Sequence, residues 1–183
     1  MKTKILFFSI ALLLSIWSCK NNEAKEPTTD TNNNPSVVGQ SGVQDDVSSP
    51  NIVQVASKSE DHTTLVKAVQ AAGLVDALSN AGPFTVFAPT NAAFDALPPN
   101  TVSDLLKPEN KDKLVDILGY HTYVGVLKTE YLQDGQEFEM VTPQKVKITK
   151  EGEKILVNGA EIVSSISTSN GVIHVIGNVL LPK

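Results

Sequence analysis

The stretch Thr85-Val86-Phe87-Ala88-Pro89-Thr90-Asn91-Ala92-Ala93-Phe94 decides the fold that this sequence predicts. The residues from Phe84 to Ala88 are mostly aromatic and β-branched, which is typical of a short buried strand. Pro89 lacks an N–H group and should end the pairing of that strand. We therefore expect Phe87 and its neighbours to fill the core, so the stretch is predicted to be structural rather than a ligand contact.

The second half of the stretch predicts a helix. Thr90 or Asn91 can cap its first turn, and Phe94 then folds back onto the core. Further short helices are predicted from apolar residues spaced three and four apart, at about 52–56, 65–72, 74–78, 101–106 and 110–118. Asp61 to Thr64 offers cap residues for the second of these helices, and Gly73 should stop it.

The C-terminal part changes to a period of two, which predicts strands. Turn-forming pairs separate these strands at Asp134-Gly135, Glu151-Gly152, Asn158-Gly159 and Asn170-Gly171. The last pair is predicted to be a tight turn before a strand from Val172 to Leu181, in which His174 is a satisfied, partly buried histidine. Because helices come mostly first and strands mostly last, the sequence predicts one α+β domain.

A third motif, Tyr120-His121, stands between the two strand motifs. Tyr120 continues the helical pattern of Leu114, Ile117 and Leu118, which predicts a ring packed inside with a hydroxyl that needs a partner. His121 could lock the end of that helix through a ring hydrogen bond. Both roles are structural.

In this order and at about this spacing, the three motifs resemble the fasciclin domain family, an extracellular adhesion and interaction module. The resemblance covers roughly Asn51 to Pro182 and implies a β-wedge of two small sheets flanked by several short helices. It also makes Tyr120 and His121 candidate adhesion residues, although a buried pair could affect adhesion by keeping the fold intact. Many family members carry aspartates where this chain has Ser165 and Gly177, so a cation-dependent mode of receptor binding is not implied here.

The N-terminus resembles that of a bacterial lipoprotein. Residues 1–18 begin with two lysines and continue as an apolar run, which predicts a cleaved export signal. The sequence Ile16-Trp17-Ser18-Cys19 resembles a lipoprotein cleavage box, in which the cysteine thiol receives a diacylglycerol. Cys19 is the single cysteine of the chain, and we expect it to be a lipid anchor. The alternative is an ordinary secreted protein with a stray cysteine.

Residues 19–50 are predicted to be the lipidated cysteine and a disordered tether, and residues 51–183 the folded domain. The segment from Lys20 to Pro50 contains no Leu, Ile, Phe, Tyr or Trp. Such a segment cannot bury enough apolar surface to offset the entropy of ordering it. We expect a passive spacer that holds a monomeric domain clear of an outer membrane.

Composition and motif spacing argue against several functions. Removal of Lys2 and Lys4 with the signal leaves 13 lysines, no arginine and 20 acidic residues, a net charge of −7. Nucleic acid is therefore an unsuitable partner. The histidines at 62, 121 and 174 form no metal-ligand spacing, and neither a nucleophile elbow nor a phosphate-binding glycine loop is present. We expect no metal, no cofactor and no catalysis.

The sequence therefore predicts a lipid-anchored, exported adhesion module that binds a cell-surface or matrix protein or a polysaccharide. One alternative is a periplasmic lipoprotein that binds a glycan or small ligand in a pocket of the wedge, which a large apolar cavity would support. A second is an enzyme whose site is assembled from distant residues, which a cleft around a strongly perturbed His121 or His174 would support.

Overall fold

A computed structural model of the chain describes residues 49–182. The six α-helices of these residues are α1 (Ile52–Lys58), α2 (Thr63–Ala72), α3 (Val75–Ser79), α4 (Asn91–Asp95), α5 (Thr101–Leu105) and α6 (Lys111–Tyr120). The seven strands are β1 (Phe84–Pro89), β2 (Thr122–Val124), β3 (Glu137–Glu139), β4 (Lys145–Glu151), β5 (Lys154–Val157), β6 (Ala160–Thr168) and β7 (Gly171–Ile176). The predicted α+β class is confirmed.

The strands pair in the order β2-β1-β7-β6-β5-β4-β3. The pair β1 and β7 is parallel, and the other pairs are antiparallel. The two small sheets expected from the sequence are joined through β6. Its first residues, Ala160 and Glu161, pair with β5, whereas Ile162 to Thr168 pair with β7 and carry a register shift between Ile162 and Ser164. A bulge of this kind bends a strand, so β6 serves both parts of the wedge.

The core has two halves, one on each side of β1 and β7. Val86, Ala88 and Ile173 face a cluster formed with α1, α2, α3 and α6. Phe87 and Ile176 face a second cluster, formed with the other strands and the loop around Leu132. Because successive side chains of a strand point to opposite faces, a strand between two apolar clusters is apolar throughout. This explains why the motif at 84–88 is apolar except at Thr85.

Several helix and turn predictions agree with the structure. Gly73 caps α2 in the left-handed conformation with φ 74°, and Thr90 Oγ1 accepts the N–H of Ala93 at the start of α4. Asn158 and Gly159 have φ of 48° and 84° in the turn between β5 and β6. Positive φ at both central residues is the requirement of a type I′ hairpin.

Two local predictions were wrong. The last strand ends at Ile176 and not at Leu181, since the ladder to β1 ends with the pair Pro89 and Ile176. No side chain from 61–64 caps α2; Asn91 does so from 27 positions further along the chain, accepting the N–H of Thr64 at 3.0 Å. A cap supplied by a residue distant in the sequence leaves no local sequence signal.

The close approach of β7 to β1 leads to a first prediction. A Cβ atom at Gly171 would overlap the carbonyl oxygen of Phe84, so Gly171→Ala should force the parallel pair apart. We expect a loss of more than about 4 kcal/mol in the free energy of unfolding, measured by urea titration. The matched variant Gly159→Ala has no atom within 4 Å of the added Cβ and should lose only about 1 kcal/mol, from its positive φ. Similar losses in the two variants would show that the close approach is unimportant.

Candidate functional site

Thr85, in the first motif, is a buried connector between β1 and the loop after β2. Its Oγ1 donates to the carbonyl of Gly125 at 2.7 Å and accepts the N–H of Leu127 at 2.9 Å. The carbonyl of Leu127 lies 2.6 Å from Nε2 of His174, in the last motif. Thr85 and His174 therefore hold the same loop from neighbouring strands.

The rest of the first motif is also occupied within the fold. Phe87 is fully buried, and its ring centroid lies 5.5 Å from that of His174. Pro89 is buried at the end of β1, and Phe94 packs against the helical half of the core. Asn91 makes two further bonds near the start of α2: its Nδ2 donates to Thr63 Oγ1 at 3.1 Å, and to the carbonyl of Glu60, just before the helix, at 2.8 Å. No side chain of this motif projects as an obvious ligand contact.

Asn170 connects three elements, a role that its prediction as a turn residue missed. Its Oδ1 accepts the N–H of Ile52 at the start of α1, at 3.0 Å. Its Nδ2 donates to the carbonyls of Leu78 at 2.8 Å and Asn80 at 2.9 Å, at the end of α3. Its own carbonyl accepts the N–H of Phe84, at 3.0 Å. The buried side-chain amide of Asn170 thus satisfies backbone groups at the ends of two helices, one of them 118 residues away in the sequence. Without this amide, those backbone groups would be left unpaired, which is costly.

Tyr120 is 3% exposed, and its hydroxyl has the partners that the sequence required. It donates to the carbonyl of Lys145 at 3.1 Å and accepts from Nδ2 of Asn158 at 2.6 Å. Burial raises the pKa of this phenol, and the bond from Asn158 opposes that rise. Tyr120 therefore ties α6 to β4 and to the hairpin between β5 and β6.

His121 is also 3% exposed, and both ring nitrogens are occupied. Nε2 accepts the N–H of Leu180 at 3.0 Å, so the ring proton must lie on Nδ1, which donates to the carbonyl of Ile117 at 2.8 Å. Burial lowers the pKa of His121 to about 4, although the bond to Ile117 favours the charged form. Neither His121 nor Tyr120 presents its ring at the surface, and this geometry supports the structural role of the pair.

Ser165 and His174 form a hydrogen-bonded pair that resembles a nucleophile and base. Ser165 Oγ lies 2.7 Å from Nδ1 of His174, whose pKa is lowered by burial. However, His174 is fully buried, and its Nε2 is already hydrogen-bonded to the carbonyl of Leu127. Ser165 is exposed on β6, and its bond to the buried His174 links β6 to β7.

A large apolar cavity lies in the helical half of the core, between α1, α2, α3 and the sheet. It has a volume of about 390 Å³. Small-molecule sites commonly have volumes of about 300–1,000 Å³. Sequence reasoning could not find this cavity, because its lining residues form ordinary core patterns in each helix.

Three exposed apolar residues lie in or near β2. Val124 is 63% exposed, Val126 lies two residues further, and Val141 is 55% exposed. The N–H of Val141 donates to the carbonyl of Thr122 at 2.9 Å, which places Val141 beside β2. We call Val124, Val126 and Val141 the β2 apolar surface. Exposed apolar residues that form one patch are typical of interaction sites.

Two further observations concern the residues from 49 to 182. Within this range no group of three or more His, Cys, Asp and Glu side chains could hold a metal ion. Among the same residues, no helix is both long enough and apolar enough to cross a bilayer. Cys19 lies outside the described residues.

The mixed sheet and the buried motifs define an α+β module whose signature residues stabilise its own core. The family model of the fasciclin domain matches residues 60–182. This chain belongs to the fasciclin domain family.

Relatives and a solved structure agree with this assignment. Protein sll1483 of Synechocystis is 52% identical over 132 residues, which cover 72% of this chain and 73% of that protein. Immunogenic protein MPT70 of Mycobacterium tuberculosis is 34% identical over 137 residues, which cover 72% of this chain and 68% of that protein. The structure of a FAS1 domain pair from the insect cell adhesion molecule Fasciclin I matches with a TM-score of 0.63 at 16% identity, over 73% of this chain and 51% of that one.

The burial of His121 predicts acid sensitivity. Its pKa is about 4 in the folded domain and 6.5 in the unfolded chain, so between these pH values the unfolded chain binds more protons. The free energy of unfolding should therefore fall as pH falls from 6.5 to 4, with about 3 kcal/mol of the loss due to His121. Urea titrations of the wild type and of His121→Gln across this pH range measure how much of the loss in the free energy of unfolding is due to His121. The variant should be less stable at pH 7 but should have a shallower pH dependence.

His62 and His174 contribute to the same slope, since burial lowers the pKa of both. They are present in the wild type and in His121→Gln, so the difference between the two curves isolates His121. Parallel curves would contradict the assignment of a neutral, buried His121.

Proposed function

We propose that this protein is an exported, lipid-anchored bacterial adhesion module that binds a cell-surface or matrix protein and catalyses no reaction. Membership of the fasciclin domain family supports adhesion, as the matched structure belongs to a cell adhesion molecule. The apolar run before Cys19 supports export and lipidation, and we place the lipid anchor in the outer membrane. The polar, acidic sequence from 20 to 50 supports a tether between lipid and domain.

We propose the β2 apolar surface as the contact site because its side chains are exposed. The motif side chains are occupied inside the fold, whereas Val124 is 63% exposed at the edge of the sheet. Apolar groups in the centre of a protein interface contribute most when the partner excludes water from them. A protein partner therefore fits this surface better than a polysaccharide, whose hydroxyl groups would lose hydrogen bonds there.

The glycan-binding alternative is less well supported than binding of a lipophilic molecule. The cavity of about 390 Å³ has the size of a ligand site, but its walls are mainly aliphatic. A sugar would bury hydroxyl groups without partners in such walls. The cavity therefore favours a small lipophilic ligand. Binding of such a ligand does not depend on the adhesive role.

The proposed anchor predicts a change of location. Cys19→Ala removes the thiol that would receive the acyl chains, so the exported chain should move from the membrane fraction to the soluble fraction. Several acyl chains at about 0.8 kcal/mol per buried methylene hold a protein on the bilayer, and no described helix replaces them. Fractionation followed by immunoblotting measures this, with Ser18→Ala as a matched control that keeps the thiol. Membrane retention of processed Cys19→Ala would show that lipidation is not the anchor.

The proposed contact surface predicts a difference between two equally exposed valines. Val124→Lys should weaken attachment of cells displaying the protein to matrix-coated wells about tenfold, because it places a charge in an apolar contact. Val163→Lys makes the same change on β6, where Val163 is 66% exposed, and should leave attachment unchanged. Both variants should unfold within about 0.5 kcal/mol of the wild type, since both sites are exposed. Equal attachment of the two variants would place the contact elsewhere.

A further inference from the structure

The cavity beneath α1 is lined by aliphatic side chains on every wall. The lining residues that are buried apolar members of the helical core are Ile52, Leu65, Val69, Leu78, Val86, Ala88, Leu118 and Ile173. The half-buried residues Val53, Ala56, Val66 and Val75 continue this lining toward the surface. Such walls exclude water and favour apolar ligand surface.

Two of the polar residues in the lining are already satisfied by the protein. Both ring nitrogens of His121 are bonded, to Ile117 and Leu180. Thr122 Oγ1 donates to the carbonyl of Leu118 at 2.9 Å. The ring of His121 therefore offers no spare hydrogen-bonding group to a ligand, and the hydroxyl of Thr122 offers no spare donor.

Ser79 differs from the other buried polar groups of the lining. It lies at the end of α3, is 8% exposed, and its hydroxyl has no hydrogen-bond partner among the described residues. Buried hydroxyl groups normally have a partner, because an unpaired one forfeits the hydrogen bonds that it makes in water. A ligand oxygen in the cavity would supply that partner.

The distribution of charge limits the chemistry of that oxygen. Lys58 is the single charged residue of the lining, and it lies exposed near the rim with Ser57 and Gln70. A carboxylate beside Ser79 would thus be buried without a cation, which is strongly unfavourable. A hydroxyl or carbonyl oxygen carries no such cost.

From these observations we propose that the cavity binds an uncharged lipophilic molecule whose single hydroxyl or carbonyl oxygen is hydrogen-bonded to Ser79. The apolar body of the ligand lies between α1, α2 and the sheet, and its far end reaches the polar rim. This activity is separate from adhesion, because the β2 apolar surface takes no part in the lining.

The first test blocks the cavity. The full chain carrying Cys19→Ala is used so that no detergent competes, and the probe is the neutral fluorophore N-phenyl-naphthylamine. Ala56→Phe, on the α1 wall, should weaken probe binding at least about tenfold and keep or raise the melting temperature, because it fills apolar space. The matched control Ala71→Phe, at an exposed position of α2 outside the lining, should bind as the parent does.

A second blocking variant, Val66→Phe, approaches the cavity from the α2 wall. If either blocking variant is folded and binds the probe as tightly as Ala71→Phe, the cavity is not the site and the proposal is overturned. Absence of saturable probe binding to the parent chain overturns it as well.

The second test examines Ser79 with dodecanol as competitor against the bound probe. Ser79→Ala should weaken competition by dodecanol about fivefold, the effect of one neutral hydrogen bond, and leave binding of the probe itself unchanged. The variant should fold normally, since it removes an unpaired hydroxyl. Equal competition in the parent and Ser79→Ala would refute the role of Ser79. Salt-sensitive competition by dodecanoate that exceeds that of dodecanol would refute the uncharged ligand class.

Discussion

The parallel pairing of β1 with β7 is the constraint on which the rest of the domain depends. These strands are separated by most of the folded sequence, yet they lie side by side from Phe84 and Gly171 to Pro89 and Ile176. Their two faces carry the two halves of the core. Because the two strands are far apart in the sequence, every helix and hairpin between them must fit around this pair.

The signature residues of the family serve this constraint. Asn170 joins the start of β7 to the beginning of α1 and the end of α3, and Asn91 joins the end of β1 to α2. Thr85 and His174 hold one loop from both strands. These polar groups are hydrogen-bonded to other parts of the same fold, so the motifs specify the architecture.

The sequence was informative where structure is local. The strand at 84–88, the left-handed cap at Gly73 and the turn at Asn158-Gly159 each follow from the residues at those positions. The structure adds what depends on distant contacts: the capping of α2 by Asn91, the end of β7 at Ile176 and the three long-range bonds of the Asn170 side chain. The cavity and the β2 apolar surface were also beyond sequence reasoning, because a pattern of apolar residues does not state which ones are left partly uncovered.

His121 shows why mutation of a motif cannot by itself identify a contact surface. Its ring lines the cavity and bonds Leu180, its carbonyl accepts the N–H of Phe87 in β1 at 2.9 Å, and β2 begins at the next residue. Substitution of His121 would therefore disturb the cavity wall, the central strand and the base of the β2 apolar surface together. Loss of the Tyr-His pair can therefore affect adhesion by disturbing the fold around it. A change at the exposed Val124 leaves the core intact, so it distinguishes a residue that contacts the partner from one that only supports the fold.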